Sequence, residues 1–190
     1  MSSTVRRIIG PTILLHSGNY FDFEAPETSE FTIEDIAHAL SMIFRFGGHC
    51  IRHYSVAQHS VHVSENLPPE HAYQGLMHDA AEAFVGDMVK PLKDIVSYYR
   101  AVEKRAEAAV FDRFSIAFPL HQAVKEADMR MLGTEQRQLM RNKDTWTGTL
   151  PPFTFDIPTW TPGQAKSRFL KRFITLRTRG LHGPEVAAHG

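Results

Sequence analysis

The stretch Thr32-Ile33-Glu34-Asp35-Ile36-Ala37-His38-Ala39-Leu40-Ser41-Met42-Ile43-Phe44-Arg45-Phe46-Gly47-Gly48 sets the fold class. Thr32 stands where an N-cap hydroxyl belongs, with Asp35 three residues on to complete a capping box. Ile33, Ile36, Ala37, Leu40, Ile43 and Phe44 then recur at three- and four-residue spacing, which predicts an amphipathic helix running until Gly47-Gly48 stops it. The same grammar repeats downstream. Ser55 with Gln58 forms a second capping-box pattern, opening a helix that carries Val56, His59 and Val63 and ends before Pro68-Pro69. Those prolines open a third helix running to about Phe84, with Ala72, Leu76, Ala80 and Ala83 on one stripe and Gly86 as its stop. A fourth, about Asp94–Phe114, reads as strongly amphipathic. A fifth spans Leu120–Met140 with Val124, Ala127, Met131 and Leu132 on its apolar side. Pro151, Pro152 and Pro158 break up the next loop before a last helix at Pro162–Leu176.

Only a short strand at Thr12–Leu15 interrupts this pattern, and no internal repeat is visible. The sequence therefore predicts an all-α fold, five to seven helices around one core. We expect an arm at residues 1–30 whose aromatics need a surface to pack on, and a core over 31–145. A C-terminal loop and helix over 146–180 should pack on that core, followed by a disordered tail at 181–190.

The chain has 190 residues, enough for one domain with a sizeable core. Lys plus Arg equals Asp plus Glu at 21 each, so no positive excess advertises a nucleic-acid or membrane partner, and a bound phosphate must be gripped locally. A single cysteine, Cys50, rules out an internal disulfide framework and fits a reducing compartment as an inert thiol. Met1 to Gly10 lacks an apolar stretch of signal-peptide length and no run is long enough to span a bilayer, so a cytoplasmic protein is expected.

The chemistry sits inside the helical patterns. In Leu76-Met77-His78-Asp79-Ala80-Ala81-Glu82, one helical turn separates His78 from Glu82, so His78, Asp79 and Glu82 can converge on one side. The neighbours are Ala, Leu and Met, which turns these polar groups toward an interior where unpaired charge is costly and a cation would offset the cost. A lone His-Asp pair is more often a helix cap or ion pair than a ligand set. Here His59 lies on the preceding helix, and Asp128 falls within Ala127-Asp128-Met129, where a carboxylate is out of place on an apolar face. Three helices thus each offer a ligand. Mixed imidazole and carboxylate donors suit one divalent transition metal, with Co, Mn, Zn, Fe and Ni all open, and Glu82 is placed to manage protons.

His59, then His78-Asp79, then Asp128 resembles the H…HD…D signature of the HD-domain phosphohydrolase superfamily. Ser55-Val56-Ala57-Gln58-His59-Ser60, and His78-Asp79-Ala80-Ala81-Glu82 followed by Gly86-Asp87, are similar to the small branch that includes bacterial 5′-deoxynucleotidases. Ile33 to Leu40 with Arg45-Phe46-Gly47-Gly48-His49 resembles small bacterial and phage members, among them the dATP triphosphohydrolases of diaminopurine phages. The likeness covers about residues 16–140. It implies a single HD-domain helical bundle whose metal is held by His59, His78, Asp79 and Asp128. It further implies Glu82 as acid/base, Asp87 near the sugar 3′-hydroxyl, and Arg52 at the mouth of the site toward phosphate. Many relatives carry Arg-Trp where this chain has Asn19-Tyr20, so Tyr20 remains a candidate for stacking while a phosphate contact at Asn19 is in doubt.

The weaker candidates have plainer readings. Arg52 can equally be a solvated arginine ahead of a helix. Lys90 is a candidate substrate contact, but Lys90 and Lys93 read more readily as surface charges, and Tyr20 and Phe21 as packing residues. His62 reads as a structural residue beside His59; His38, His49 and His53 stay open; His16, His71, His121, His182 and His189 read as surface or packing.

The resulting expectation is a phosphohydrolase cleaving the 5′ phosphoester of deoxynucleotides, dNTP or dNMP, with a lean toward deoxyadenine nucleotides that the resemblance alone implies. The products are a deoxynucleoside with triphosphate or phosphate. The setting implied is a bacterial or phage-infected cell, and the relatives imply a homo-oligomer, dimer or larger ring. Alternatives are hydrolysis of a cyclic dinucleotide or guanosine tetraphosphate, or a non-catalytic nucleotide or metal sensor.

Overall fold

The computed structural model describes residues 10–142, 144, 146 and 150–180; the start of the arm, the 181–190 tail expected to be disordered, and His182 and His189 lie outside the described residues. The described chain is mostly helical, in keeping with the all-α expectation, with one two-stranded sheet. That sheet pairs β1 (Thr12–Leu14) antiparallel to β2 (Tyr20–Asp22), with Ile13 opposite Phe21. Phe21 is buried and stacks on Phe84 at 4.0 Å between ring centroids, with Phe31 edge-on to both. The arm's aromatics thus find their surface.

Helix α1 (Ile33–Met42) begins as its sequence demands: the Thr32 hydroxyl accepts from the Asp35 amide, and the Asp35 carboxylate accepts from the Thr32 amide at 3.0 Å. The other oxygen of this buried carboxylate accepts from the Ser17 amide at 2.7 Å, so one side chain caps α1 and fastens the arm. The helix stops at Met42, short of the glycine pair. Ile43 and Phe44 turn extended, and the backbone here pairs with Tyr54 to Val56 through Val56 N–H to the Ile43 carbonyl and Arg45 N–H to the Tyr54 carbonyl. These non-local bonds win over helical continuation, and Phe44 is left 47% exposed rather than on a buried stripe. A 3₁₀ turn follows at Arg45–Gly48, where Phe46 and Gly47 both have left-handed φ, 56° and 59°.

Nine of the ten residues of α2 (Val56–Glu65) are buried, so this helix runs through the middle of the molecule. Ser55 caps it by accepting from the Gln58 amide, but Gln58 does not return the bond; its Nε2 donates to the Pro158 carbonyl at 2.6 Å, and only half of the predicted capping box forms. The third predicted helix is broken into a 3₁₀ turn at Pro69–His71, α3 (Ala72–Met77), a tight turn, and α4 (Glu82–Val85). In that turn Ala80 bonds back to Met77 and Glu82 to Asp79, three residues rather than four, which tightens the His78-Asp79 segment. Gly75 permits close approach of α3 to α2: a Cβ there would stand 2.2 Å from Leu67 Cδ1.

The expected amphipathic helix of residues 94–114 is two helices, α5 (Lys90–Ile95) and α6 (Ser97–Arg113), parted at Val96. Only the second half of α6 is buried, through Ala106, Ala109, Val110 and Phe111, while Leu92, Ile95 and Tyr98 face solvent. Helix α7 (Gln122–Leu139) buries Val124, Ala127 and Met131, with Leu132 half-buried. Helix α8 (Pro162–Thr178) starts on a complete Thr161–Gln164 capping box and packs Ala165, Phe169, Phe173 and Leu176 against α1, α2 and α3. The proline-rich segment before α8 has no regular structure. Side chains tie it down instead: Gln138 donates to the Phe155 carbonyl and accepts from the Ile157 amide, and Thr134 accepts from the Phe153 amide. No described helix is long and apolar enough to cross a membrane.

Candidate metal centre

Helix α2, the tight turn after α3, and α7 bring His59, His78 and Asp128 together, with one ligating atom from each within 4.8 Å of the others. His59 Nε2 lies 3.3 Å from His78 Nε2 and 3.2 Å from Asp128 Oδ1. Asp79 Oδ2 approaches the same two nitrogens, 3.2 Å from His78 and 3.5 Å from His59. All four residues of the predicted ligand set therefore meet around the two imidazoles. His59 is fully buried, while Asp79 and Asp128 keep 22% and 33% of their side chains exposed, which leaves the group a face to solvent.

The donor chemistry fits a cation. Each imidazole uses Nδ1 elsewhere, His59 on Glu135 Oε1 at 2.6 Å and His78 on the Gly75 carbonyl at 2.9 Å, and both acceptors require Nδ1 to carry the proton. The two Nε2 atoms then face each other with lone pairs, an arrangement that is stable only if a proton or a metal ion sits between them and the carboxylates. In the ion-free chain protons do this: burial and the Arg45 charge oppose it, but Glu135 and Asp128 hold His59 protonated up to about 10, and Asp79 raises His78 against its burial. Asp79 in turn is pulled far below the usual carboxylate range, its burial outweighed by His78, His59 and Arg45. A group of three such residues can hold a metal ion.

Around this centre the other expected residues divide. Glu82 is buried, with Oε1 3.7 Å from Lys93 Nζ and Oε2 without a hydrogen-bond partner among the described residues. Burial, then Asp79 and Asp87, push its carboxyl well above the usual range. Asp87, just after the Gly86 stop, is raised by burial and feels the Arg45 and Asp79 charges, which places it beside the same cluster. Arg52 is turned elsewhere: its Nη2 donates to the Ile157 carbonyl at 2.8 Å, a structural tie to the proline-rich segment. Lys90 is 83% exposed and pairs with Asp94 one turn on, as a surface charge, whereas Lys93 is the lysine that reaches the site, bridging Glu82 and Glu103. Asn19 is exposed in the turn between β1 and β2. Tyr20 is half-buried and, by strand alternation, faces away from the Phe21 side that meets the core.

Two residues at the centre escaped the sequence reading. Glu135, fully buried on α7, accepts from His59 and also from Tyr54 Oη at 2.8 Å. Arg45 donates Nε to Glu135 Oε2 at 3.1 Å and sets Nη1 3.7 Å from Asp79 Oδ2, so it spans from α7 to the ligand turn. A signal for Glu135 was present, since it follows Asp128 by seven residues, two helical turns along the same face. Arg45 stood in the Arg45-Phe46-Gly47-Gly48-His49 motif that carried the resemblance, but no role was read for it because the helix pattern ran through its segment. The burial of Cys50 pushes its thiol up to about 11, in keeping with an inert cysteine.

The other described histidines have structural partners. His16 stacks on His38 and His71 on His121, each pair at 3.8 Å; His53 pairs Nδ1 with the Trp160 carbonyl; His49 closes the 3₁₀ turn. His62 lies against Phe155 and Trp160, and burial depresses it to about 4. An unfolded chain protonates this imidazole near 6.5 while the folded one refuses the proton until about 4, so between those values acid favours unfolding. His62 alone should remove roughly 3 kcal/mol of stability across that window. Urea unfolding from pH 7 to pH 4.5 checks this: His62→Asn should lose less stability on acidification than the wild type, and parallel losses would exclude His62 as the source.

No family model matches this sequence. Relatives are nonetheless clear. YfdR of Escherichia coli strain K12, an uncharacterized protein, is 37% identical over 164 residues, which cover 84% of this chain and 92% of YfdR. The chain belongs to the YfdR family. A match of that length leaves only the ends of the chain outside it, so the segment from His59 to Asp128 lies within the part shared with YfdR. A second similar protein, the uncharacterized RCAP_rcc00048 of Rhodobacter capsulatus, is 33% identical over 137 residues, covering 65% of this chain and 70% of that protein.

Proposed function

We propose that this YfdR-family protein is a divalent-metal-dependent phosphohydrolase that cleaves the 5′ phosphoester of deoxynucleotides. The observation that carries the reading is the convergence of two imidazole Nε2 atoms with Asp79 and Asp128 on one partly open face. The charge balance agrees with it. Arg45 lies against Asp79 and Glu135, and Lys93 against Glu82 and Glu103, so both cations beside the centre are already engaged by carboxylates. A phosphate entering the site would need an added cation to receive it. A divalent transition-metal ion held by His59, His78, Asp79 and Asp128 supplies that charge and Lewis-acid polarisation of a phosphoryl oxygen.

The chain's own groups account for the remaining tasks. Glu82, whose carboxyl is raised by burial and by Asp79 and Asp87, is the group of this chain suited to deliver a proton to the departing 5′ oxygen. The roles of Asp87 toward a sugar hydroxyl and of Tyr20 as an aromatic wall, and the preference for deoxyribose and adenine, are supported by the resemblance to the deoxynucleotidase branch.

The test is elemental analysis of the dialysed protein, followed by a screen of ribo- and deoxynucleoside mono-, di- and triphosphates with Co, Mn, Zn, Fe and Ni salts, reading nucleoside, phosphate and triphosphate separately. One ion per chain is expected, with deoxynucleoside released and ribonucleotides poorer in kcat/KM. A loaded protein that binds but turns over none of these would instead be a sensor. Equal efficiency for ribose and deoxyribose would remove the sugar contact and leave the metal reading standing.

A further inference from the structure

We propose that Glu135 is a positioning residue of the metal centre: its buried carboxylate fixes His59 with Nε2 turned toward the ion and, through Arg45, fixes Asp79 beside it. The proposal rests on the metal-dependent reading above and adds a residue outside the predicted ligand set. Glu135 has no exposed surface, and both of its oxygens are engaged. Oε1 accepts from His59 Nδ1 at 2.6 Å and from Tyr54 Oη at 2.8 Å; Oε2 takes Arg45 Nε and Nη2, each at 3.1 Å. A carboxylate paired with a guanidinium only accepts, so Nδ1 of His59 must carry a proton, and Nε2 is the nitrogen left to offer its lone pair to an ion in place of a second proton.

This arrangement separates His59 from His78. The Nδ1 atom of His78 rests on a neutral acceptor, the Gly75 carbonyl within its own helical turn. His59 alone leans on a charged partner, which increases the basicity of its Nε2 as well as its orientation. The far side of the same carboxylate carries the load to Asp79: Arg45 donates Nε to Glu135 Oε2 and sets Nη2 against the same oxygen as an ion pair, while its Nη1 lies 3.7 Å from Asp79 Oδ2. Two ligands on different helices are thus indexed to one side chain of α7, the helix that also supplies Asp128.

The experiment uses the full chain, stripped of metal and titrated with Co²⁺ or Zn²⁺ in competition with a chromophoric chelator, alongside the visible absorption spectrum of the Co²⁺-loaded protein. Glu135→Gln keeps the shape but presents its amide nitrogen either to His59, reversing the tautomer, or to Arg45, where two donors oppose. Its affinity for the ion should fall roughly 10- to 100-fold, with a changed Co²⁺ spectrum. Tyr54→Phe, which removes only the hydroxyl from the same oxygen, should retain affinity within a few-fold of the wild type. If Glu135→Gln does not fold, zinc-loaded wild type with ¹⁵N-labelled histidine answers instead: His59 should show a proton on Nδ1, shifted far downfield, and a metal-bound Nε2. Wild-type affinity and spectrum in a folded Glu135→Gln, or a His59 lacking the Nδ1 proton, would overturn the positioning role while leaving the metal centre intact. Failure of the wild type to bind any divalent ion would overturn the metal reading and this proposal together.

Discussion

Glu82→Gln is expected to lower kcat by roughly 10²- to 10⁴-fold while the fold and the bound ion are retained, the scale on which a positioned acid or base contributes. The substitution is nearly isosteric, and Glu82 is not among the residues that converge on the two imidazoles, so metal content should not change. What it removes is a transferable proton. Burial, with Asp79 and Asp87 nearby, holds the Glu82 carboxyl well above its ordinary value, and Oε2 has no hydrogen-bond partner among the described residues. The stability effect should have the opposite sign. A carboxyl whose folded value is raised favours the folded state at low pH and loses that contribution as pH rises through the folded value. At neutral pH Glu82 is therefore a burden on the fold, and Gln, which cannot ionise, should raise the Tm. Slower turnover with higher stability is the signature of a group kept for chemistry. Thermal melts and single-turnover rates on one preparation check both signs; wild-type turnover in Glu82→Gln would return Glu82 to a structural role.

The fold and the ligand set differ in how well the sequence disclosed them. Helices α1 and α2 were legible because caps and apolar periodicity coincided, as at Thr32 with Asp35, and α7 and α8 were legible from their apolar pattern and the prolines around them. His59, His78 and Asp128 were legible because a polar residue on an apolar helical face needs a reason, and the structure brings them together. Boundaries failed where non-local bonds decided them. Ile43 and Phe44 fit the α1 stripe, yet their backbone pairs with Tyr54 to Val56, a choice written in no local pattern. The segment 94–114 read as one amphipathic helix, but the chain breaks at Val96, and Ile95 and Tyr98 on either side of the break are left exposed. Arg52 and Lys90 show the same limit for side chains: charge near a motif does not reveal whether a backbone carbonyl or a neighbouring aspartate takes it first. The role of Arg45 became visible only in the fold, where it reaches Glu135 on α7.

Arg45→Ala is expected to lower the stability of the ion-free protein by about 3–5 kcal/mol, the cost of stranding a buried charge. Arg45 is 11% exposed and Glu135 not at all, so truncating the guanidinium leaves an ionised carboxylate in a low-dielectric interior with only His59 and Tyr54 as donors. The exposed Lys90–Asp94 pair provides the contrast: water already solvates both partners, and Lys90→Ala should leave the melting temperature unchanged. A second substitution separates lost charge compensation from lost packing. If the cost in Arg45→Ala comes from the Glu135 carboxylate left without its guanidinium, then Arg45→Ala combined with Glu135→Gln should be more stable than the two single effects added together, because neutralising one partner removes the penalty left by the other. If the cost is the missing guanidinium stem, the two effects should add. Urea unfolding of the wild type, both single variants and the double variant at neutral pH measures the coupling. An Arg45→Ala protein within 1 kcal/mol of the wild type would show that water reaches Glu135 in solution, and would count against a dry, rigid support beneath His59.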